Sequence, residues 1–181
     1  IGDGYTSGNR GYRATDKKNP ARAMNVRPDT PEGLKRKDLL GIPWRLAFAL
    51  QDDGWYLRSD IVWHKPNVMP ESVKDRPTRA HEYLFMLTKS ERYYYDNEAS
   101  KEIGLNGKHR NRRSVWDINT QAFAGAHFAT FPQKLIEPCI LASSKKSDFI
   151  LDPFFGSGTV GIVCEQQNRK YVGIELNPEY V

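Results

Sequence analysis

Apolar positions near the C-terminal end of this chain follow a pattern that changes period twice. Phe149-Ile150-Leu151 is a short apolar run closed by Asp152-Pro153, which predicts a buried strand. Phe154-Phe155-Gly156-Ser157-Gly158 predicts a tight turn, Thr159 through Gln167 a helix, and Tyr171-Val172-Gly173-Ile174 a second strand ending at Glu175. Residues 4–36 and 98–126 show no periodicity and predict two long surface loops, with turns at Asn19-Pro20, Arg27-Pro28 and Thr30-Pro31. No internal repeat or low-complexity tract is visible.

A strand, a glycine-rich turn, a helix and a second strand ending in an acid form the local architecture that holds an adenosine-containing cofactor. Gly156 and Gly158 allow a sharp turn and close ligand approach, and Gly161 allows the helix to pack closely on the sheet. The helix N-terminus favours a carboxylate or phosphate over the turn. Glu175, nineteen residues beyond Gly156, stands where an acid accepts both ribose hydroxyls. The bland alternative is a strand-to-helix turn without a ligand. Asp152 would repel a pyrophosphate but welcome the amino group of S-adenosylmethionine through a charge-assisted hydrogen bond, which favours the sulfonium cofactor over a nicotinamide. A dehydrogenase would need further strand–helix units beyond Glu175, so upstream segments are expected to complete the sheet.

Asp-Pro-Phe-Phe-Gly-Ser-Gly-Thr at 152–159 resembles the cofactor motif of DNA amino-methyltransferases of the adenine-N6 and cytosine-N4 group, in the permuted class that places this motif near the C-terminus. Gly173-Ile174-Glu175-Leu176-Asn177-Pro178-Glu179-Tyr180 resembles the family's next motif, and His127-Phe128-Ala129-Thr130-Phe131-Pro132-Gln133-Lys134-Leu135 is similar to its cofactor-flanking segment and the helix that follows. By the same resemblance, Lys37 through Leu50 is the helix before the sixth strand, Gly54 through Asn67 that strand and its exit, and His81 through Lys89 the antiparallel seventh strand, ending near Tyr95. The resemblance implies an α/β fold: a Rossmann-like methyltransferase sheet, mostly parallel with an antiparallel strand, circularly permuted and incomplete at the N-terminus, with 1–181 as one partial domain.

The resemblance also implies site roles. Phe131 and Pro132 would flank the cofactor, Asp152 would hold its amino group, Pro153, Phe154, Gly156, Ser157, Gly158 and Thr159 would enclose its methionine portion, and Glu175, with Asn177 beside it, would bind its ribose. His127 would fix the loop over the cofactor. The family's catalytic tetrapeptide, an acid or serine followed by Pro-Pro and an aromatic, has no counterpart, because the chain contains no Pro-Pro dipeptide. No catalytic residue is therefore assigned. Ile1-Gly2-Asp3 resembles the end of a fifth strand, so the expectation is a fragment whose catalytic motif lies upstream.

The 181 residues carry a formal charge of +5 and are 39% apolar, enough for one core and consistent with an acidic partner. Beside a methyltransferase-like core, the basic excursions become candidates for double-stranded DNA: Lys108, Arg110, Arg112 and Arg113 in one loop, and Lys74, Arg76 and Arg79 after the sixth strand. Tyr93-Tyr94-Tyr95 are read as packing residues, and Trp44, Trp55 and Trp63 as core. His64 and His81 have no triad or metal partner at suitable spacing and are read as satisfied structural histidines. Cys139 and Cys164, on predicted helices, suit buried reduced thiols rather than a disulfide or a metal cluster. No apolar run approaches a membrane span, and a cytoplasmic protein is the simplest reading. The function that follows is site-specific methylation of an exocyclic amino group in DNA, with a restriction endonuclease as candidate partner. The alternatives are a catalytically silent DNA-binding remnant and a methyltransferase of RNA or protein.

Overall fold

A computed structural model describes residues 1–6, 30–121 and 131–177. The turns expected at Asn19-Pro20 and Arg27-Pro28, His127 with its flanking loop, and Pro178–Tyr180 lie outside the described residues. The chain forms two compact units, Ile1–Asp53 and Gly54–Val181.

In the first unit, helix α1 (Ile42–Asp52) carries Pro43 in its first turn, where the missing N–H is not needed. Ile1-Gly2-Asp3 forms no strand, contrary to expectation. The Asp3 carboxylate instead accepts from the backbone N–H groups of Gly4 (2.9 Å), Gly41 (3.1 Å) and Ile42 (3.2 Å), satisfying donors that the start of a helix leaves open. Tyr5 pairs with Leu39 in an isolated bridge. The turn predicted at Thr30-Pro31 is present, closed by the Leu34 N–H on the Pro31 carbonyl.

The second unit begins with strand β1 (Tyr56–His64), which pairs antiparallel with β2 (His81–Thr88). Strand β2 stops at Thr88 rather than near Tyr95, because Thr88 Oγ1 turns back onto the Ser90 carbonyl and the tyrosines leave the sheet. The described part of the segment 98–126, up to residue 121, is not the structureless loop expected. It holds a hairpin of β3 (Glu102–Ile103) and β4 (His109–Arg110), then β5 (Val115–Asp117), which adds parallel to the other edge of β1. Strands of two or three residues are too short to show a period, so the pattern hid them. Helix α2 (Gln133–Ser143), strand β6 (Phe149–Asp152), helix α3 (Thr159–Gln166) and strand β7 (Lys170–Gly173) complete the unit, with β6 and β7 parallel. The fold is α/β with both parallel and antiparallel pairing, as expected.

Two apolar clusters hold this unit. Ile140, Val160, Val163 and Cys164 join α2 to α3, and Trp63, Trp116 and Leu135 join β1, β5 and α2; Phe131 packs against both. The Arg169 guanidinium secures the same corner by donating to the carbonyls of Ser144 (2.8 Å) and Gln167 (2.6 Å), where a cation suits the end of α2. Two expectations fail here. Of Trp44, Trp55 and Trp63 only Trp63 is buried, while Trp116, not singled out, is buried beside it. Strand β6 is not buried either: Phe149 is 68% and Leu151 62% exposed, because α2 and α3 cover only the face carrying Ile150.

Candidate functional site

The site is built at the carboxyl ends of β6 and β7, where two parallel strands stop and a helix begins. Pairing continues one step past the strands: the Ile174 N–H donates to the Asp152 carbonyl and the Phe155 N–H to the Ile174 carbonyl, both at 2.9 Å. Asp152 Oδ1 accepts from the Phe154 N–H at 3.0 Å, the local Asx-type turn that bends the chain away from the sheet. Its other carboxylate oxygen makes no hydrogen bond among the described residues. Gly156 and Gly158 then adopt φ of 51° and 78°, the left-handed region where a side chain is strained. Gly158 is the N-cap of α3 and supplies no side-chain cap, so the first helical N–H groups remain available over the turn.

Glu175 closes the arrangement from the neighbouring strand. One carboxylate oxygen accepts from the Gly156 N–H at 2.7 Å and the other from the Asn177 N–H at 2.8 Å. The structure therefore brings together Asp152, Pro153, Phe154, Gly156, Ser157, Gly158, Thr159, Glu175 and Asn177 along two adjoining strand ends. Phe154 projects outward, 87% exposed, while Ser157 and Thr159 are half-buried. Phe131 packs beneath this region on the cluster that includes Val160, and Pro132 is buried as the N-cap of α2.

One residue of the turn has a part that the motif did not disclose. The Phe155 ring stacks on Tyr171, with centroids 5.5 Å apart and planes 13° from parallel. It lies in a notch of three glycines: a Cβ on Gly173 would sit 2.4 Å from the ring, on Gly161 2.9 Å, and on Gly158 3.3 Å. These glycines thus make room for an aromatic ring that braces the turn, in addition to the backbone freedom the sequence argument assigned. The signal was present as two glycines at the start of α3 and one at the end of β7.

The basic residues divide into two sets. Arg110 donates to Glu102 at 2.9 Å, Arg112 donates to the Ser100 carbonyl at 3.1 Å and lies 5.3 Å above the Trp116 ring, and Arg76 donates to Glu71 at 2.6 Å. The Arg76 hydrogen bond, with a nearby Arg79 charge, holds the exposed Glu71 carboxyl below its ordinary range. Lys74, Lys108 and Arg113 are exposed and form no ion pair with an acid among the described residues. Arg110, Arg112 and Arg113 line a concave surface of about 810 Å³ that runs along β5 to Asp117.

Other side chains are structural. His64 Nδ1 meets Asp117 at 2.7 Å across 53 residues, a partner that spacing did not reveal, and His81 Nε2 lies 3.3 Å from the Tyr83 hydroxyl. Burial, reinforced by Arg79 and His64, lowers the pKa of His81. Lys65 pairs with Glu82 and lies over Trp63. Tyr93, Tyr94 and Tyr95, expected as packing residues, are instead exposed and held at the surface by Arg58, by Asp96 with Lys145, and by Ser100. Cys139 and Cys164 are free thiols on helices; burial pushes Cys139 up to about 11 and raises Cys164. No cluster able to hold a metal occurs among the described residues, and no described helix is long and apolar enough to cross a membrane.

The sequence profile of the DNA methylase family of the N6/N4 type matches residues 7–181. The chain belongs to that N6/N4 DNA methylase family. It is 80% identical over 181 residues to the Type II methyltransferase M.Cfr9I of Citrobacter freundii, covering all of this chain and 60% of that protein. It is 60% identical over 182 residues to the Type II methyltransferase M.SmaI of Serratia marcescens, covering 99% of this chain and 62% of that protein. The crystal structure of the M1.HpyAVI–SAM complex superposes with a TM-score of 0.61 at 26% identity, covering 77% of this methylase chain and 66% of that one. The chain therefore spans about 60% of the length of these two Type II methyltransferases.

Proposed function

We propose that this methylase chain is the cofactor-binding and DNA-engaging part of a site-specific methyltransferase that transfers a methyl group from S-adenosylmethionine to an exocyclic amino nitrogen of DNA, adenine N6 or cytosine N4. The observation that carries the proposal is the pair of carboxylates, Asp152 and Glu175, at adjoining parallel strand ends around a left-handed glycine turn. That donor set suits the cofactor. A carboxylate oxygen of Asp152 without another hydrogen bond is chemically matched to an ammonium group, and the uncapped start of α3 to a carboxylate. Glu175 holds the turn through both carboxylate oxygens, and a carboxylate at this strand end is chemically suited to accept from ribose hydroxyls. The family membership and the SAM complex of M1.HpyAVI support the same cofactor.

When bound, S-adenosylmethionine supplies an electrophilic methyl group on its sulfonium. The residues of this chain would hold it by its two polar ends, which fixes the direction of the methyl group and turns an encounter of three bodies into one of alignment. A base amino group is a weak nucleophile because its lone pair is delocalised into the ring, so the base must leave the stack to be aligned. The acceptor for the amino protons, the Pro-Pro-aromatic motif, is proposed to lie in the part of the protein beyond this chain. Lys74, Lys108 and Arg113 would neutralise phosphates, while Arg110 and Arg112 shape the surface that presents them. A restriction endonuclease of the same specificity is the proposed biological partner, and the cytoplasm the proposed location.

The test uses the full-length protein with methyl-labelled S-adenosylmethionine and duplex DNA, RNA and protein acceptors. Label in duplex DNA, released as N6-methyladenine or N4-methylcytosine on digestion, is the expected result. The lack of a Pro-Pro dipeptide favours one second reading, a silent DNA-binding remnant. DNA retention without any methyl transfer would establish that reading, and label in RNA or protein alone would replace both.

A further inference from the structure

The hairpin of β3 and β4 is more rigid than its length suggests. Glu102 pairs with Arg110 and Ile103 with His109. Across the tip, the Gly104 N–H donates to the Lys108 carbonyl at 2.8 Å and the Gly107 N–H to the Gly104 carbonyl at 2.9 Å. Asn106 Oδ1 accepts from the Lys108 N–H at 3.1 Å, and Gly107 has φ of 74°, the left-handed residue that closes a three-residue hairpin loop. Gly104 is enclosed, since a Cβ there would lie 3.2 Å from both Arg110 and Asn106. Turn chemistry and the Glu102–Arg110 ion pair thus hold the tip in one conformation.

What this tip presents is apolar. Leu105, in the turn itself, is 103% exposed, and Ile103, at the end of β3, 70% exposed. No bond of the turn uses the Leu105 side chain. A single exposed leucine is ordinary, but the surroundings are not: Lys108 and Arg113, which have no acid partner among the described residues, line the same concave surface of about 510 Å³ as Leu105. A rigid apolar point that shares its surface with two such cations matches a base stack flanked by phosphates. An uncharged apolar partner would leave both cations without a counterpart.

Resting on the methyltransferase reading above, we propose that the 102–110 hairpin is a wedge: Leu105 enters the base stack of the substrate duplex, and Lys108 and Arg113 hold the phosphates on either side. Extruding a base for methylation leaves a gap in the stack. An apolar side chain on a rigid hairpin fills that gap with its backbone already ordered, so that only side-chain rotamer freedom is lost.

The test compares the full-length enzyme with Leu105→Ser and Leu105→Met, after its methylated positions in genomic DNA have been mapped. Two duplexes carry that site, one fully paired and one mismatched at the target base, with 2-aminopurine beside the target to report unstacking. The expected result for Leu105→Ser is an unchanged Tm for the free enzyme, roughly tenfold weaker binding of the paired duplex, loss of most of the fluorescence rise, and recovery of affinity on the mismatched duplex. Leu105→Met should match the wild type. Equal loss on both duplexes, or a lowered Tm that shows the tip to be covered by the rest of the protein, would overturn the wedge. A wild type that methylates DNA while Leu105→Ser equals it on the paired duplex overturns the wedge alone, and a wild type that binds no duplex overturns both readings.

Discussion

Replacing Gly173 by alanine tests whether the glycine notch braces the turn of the candidate site. The added Cβ would stand 2.4 Å from both Cγ and Cδ2 of Phe155. Flipping the ring brings no relief, because Cγ lies on the flip axis. Retreat is blocked on the far side, where the ring already touches the space that a Cβ on Gly161 would need, 2.9 Å from Cζ. Overpacking of this kind costs about 1–3 kcal/mol, and losing the Phe155–Tyr171 stack adds about 0.5–1.5 kcal/mol, so Gly173→Ala should destabilise by about 3 kcal/mol. In a Phe155→Ala background the ring is absent and the same change should cost less than about 0.5 kcal/mol, leaving a coupling of about 2–3 kcal/mol. Urea unfolding of the wild type, both single variants and the double variant of the full-length protein measures this cycle. Titration calorimetry with S-adenosylmethionine should show weaker binding of Gly173→Ala, since Phe155 is part of the turn. A single variant as stable as the wild type, or an equal penalty with and without the ring, would refute the reasoning.

Asp152→Asn keeps an acceptor for the Phe154 N–H but removes the charge, so circular dichroism should stay native while calorimetric affinity for S-adenosylmethionine falls about 10–100-fold, the worth of a charge-assisted hydrogen bond; unchanged affinity contradicts the assigned role. Gly158→Ala forces a side chain to φ of 78° at the N-cap of α3 and should lower stability by about 1–2 kcal/mol in urea unfolding. Cys139, raised from 9.0 to about 11 by burial, favours its thiol form when folded. The resulting stabilisation is full below pH 9 and is lost as pH rises toward 11. Iodoacetamide at pH 8 should therefore label Cys139 about a hundredfold more slowly in the native than in the urea-unfolded protein; equal rates, read by mass spectrometry, would show the thiol to be accessible.

The glycine turn of the candidate site was legible in the sequence because each of its parts is a local requirement. A strand that must bend into a helix needs glycine at positive φ, and Gly156 and Gly158 are where the left-handed angles occur. The acid at Glu175 was placed by its distance along the chain, and its carboxylate does meet the turn. The basic run was equally visible, but its division was not. Arg110 and Arg112 differ from Lys108 and Arg113 only through partners such as Glu102, Ser100 and Trp116, which the hairpin brings near.

Exposure was the least legible property. Phe149 and Leu151 have the composition of a buried strand, yet composition records what a face can pack against, not what this stretch of chain supplies to cover it. The three-residue β5 and the His64–Asp117 contact were hidden for a related reason, since neither has a periodic or short-range signature. The sequence by itself determined the helices and the longer strands, the turn geometry and the two carboxylates of the candidate site, all set by backbone sterics and neighbouring residues. Only the tertiary structure decided which cations lack an acid partner among the described residues, which aromatic ring occupies the glycine notch and which leucine points outward, because those depend on groups that only folding brings together.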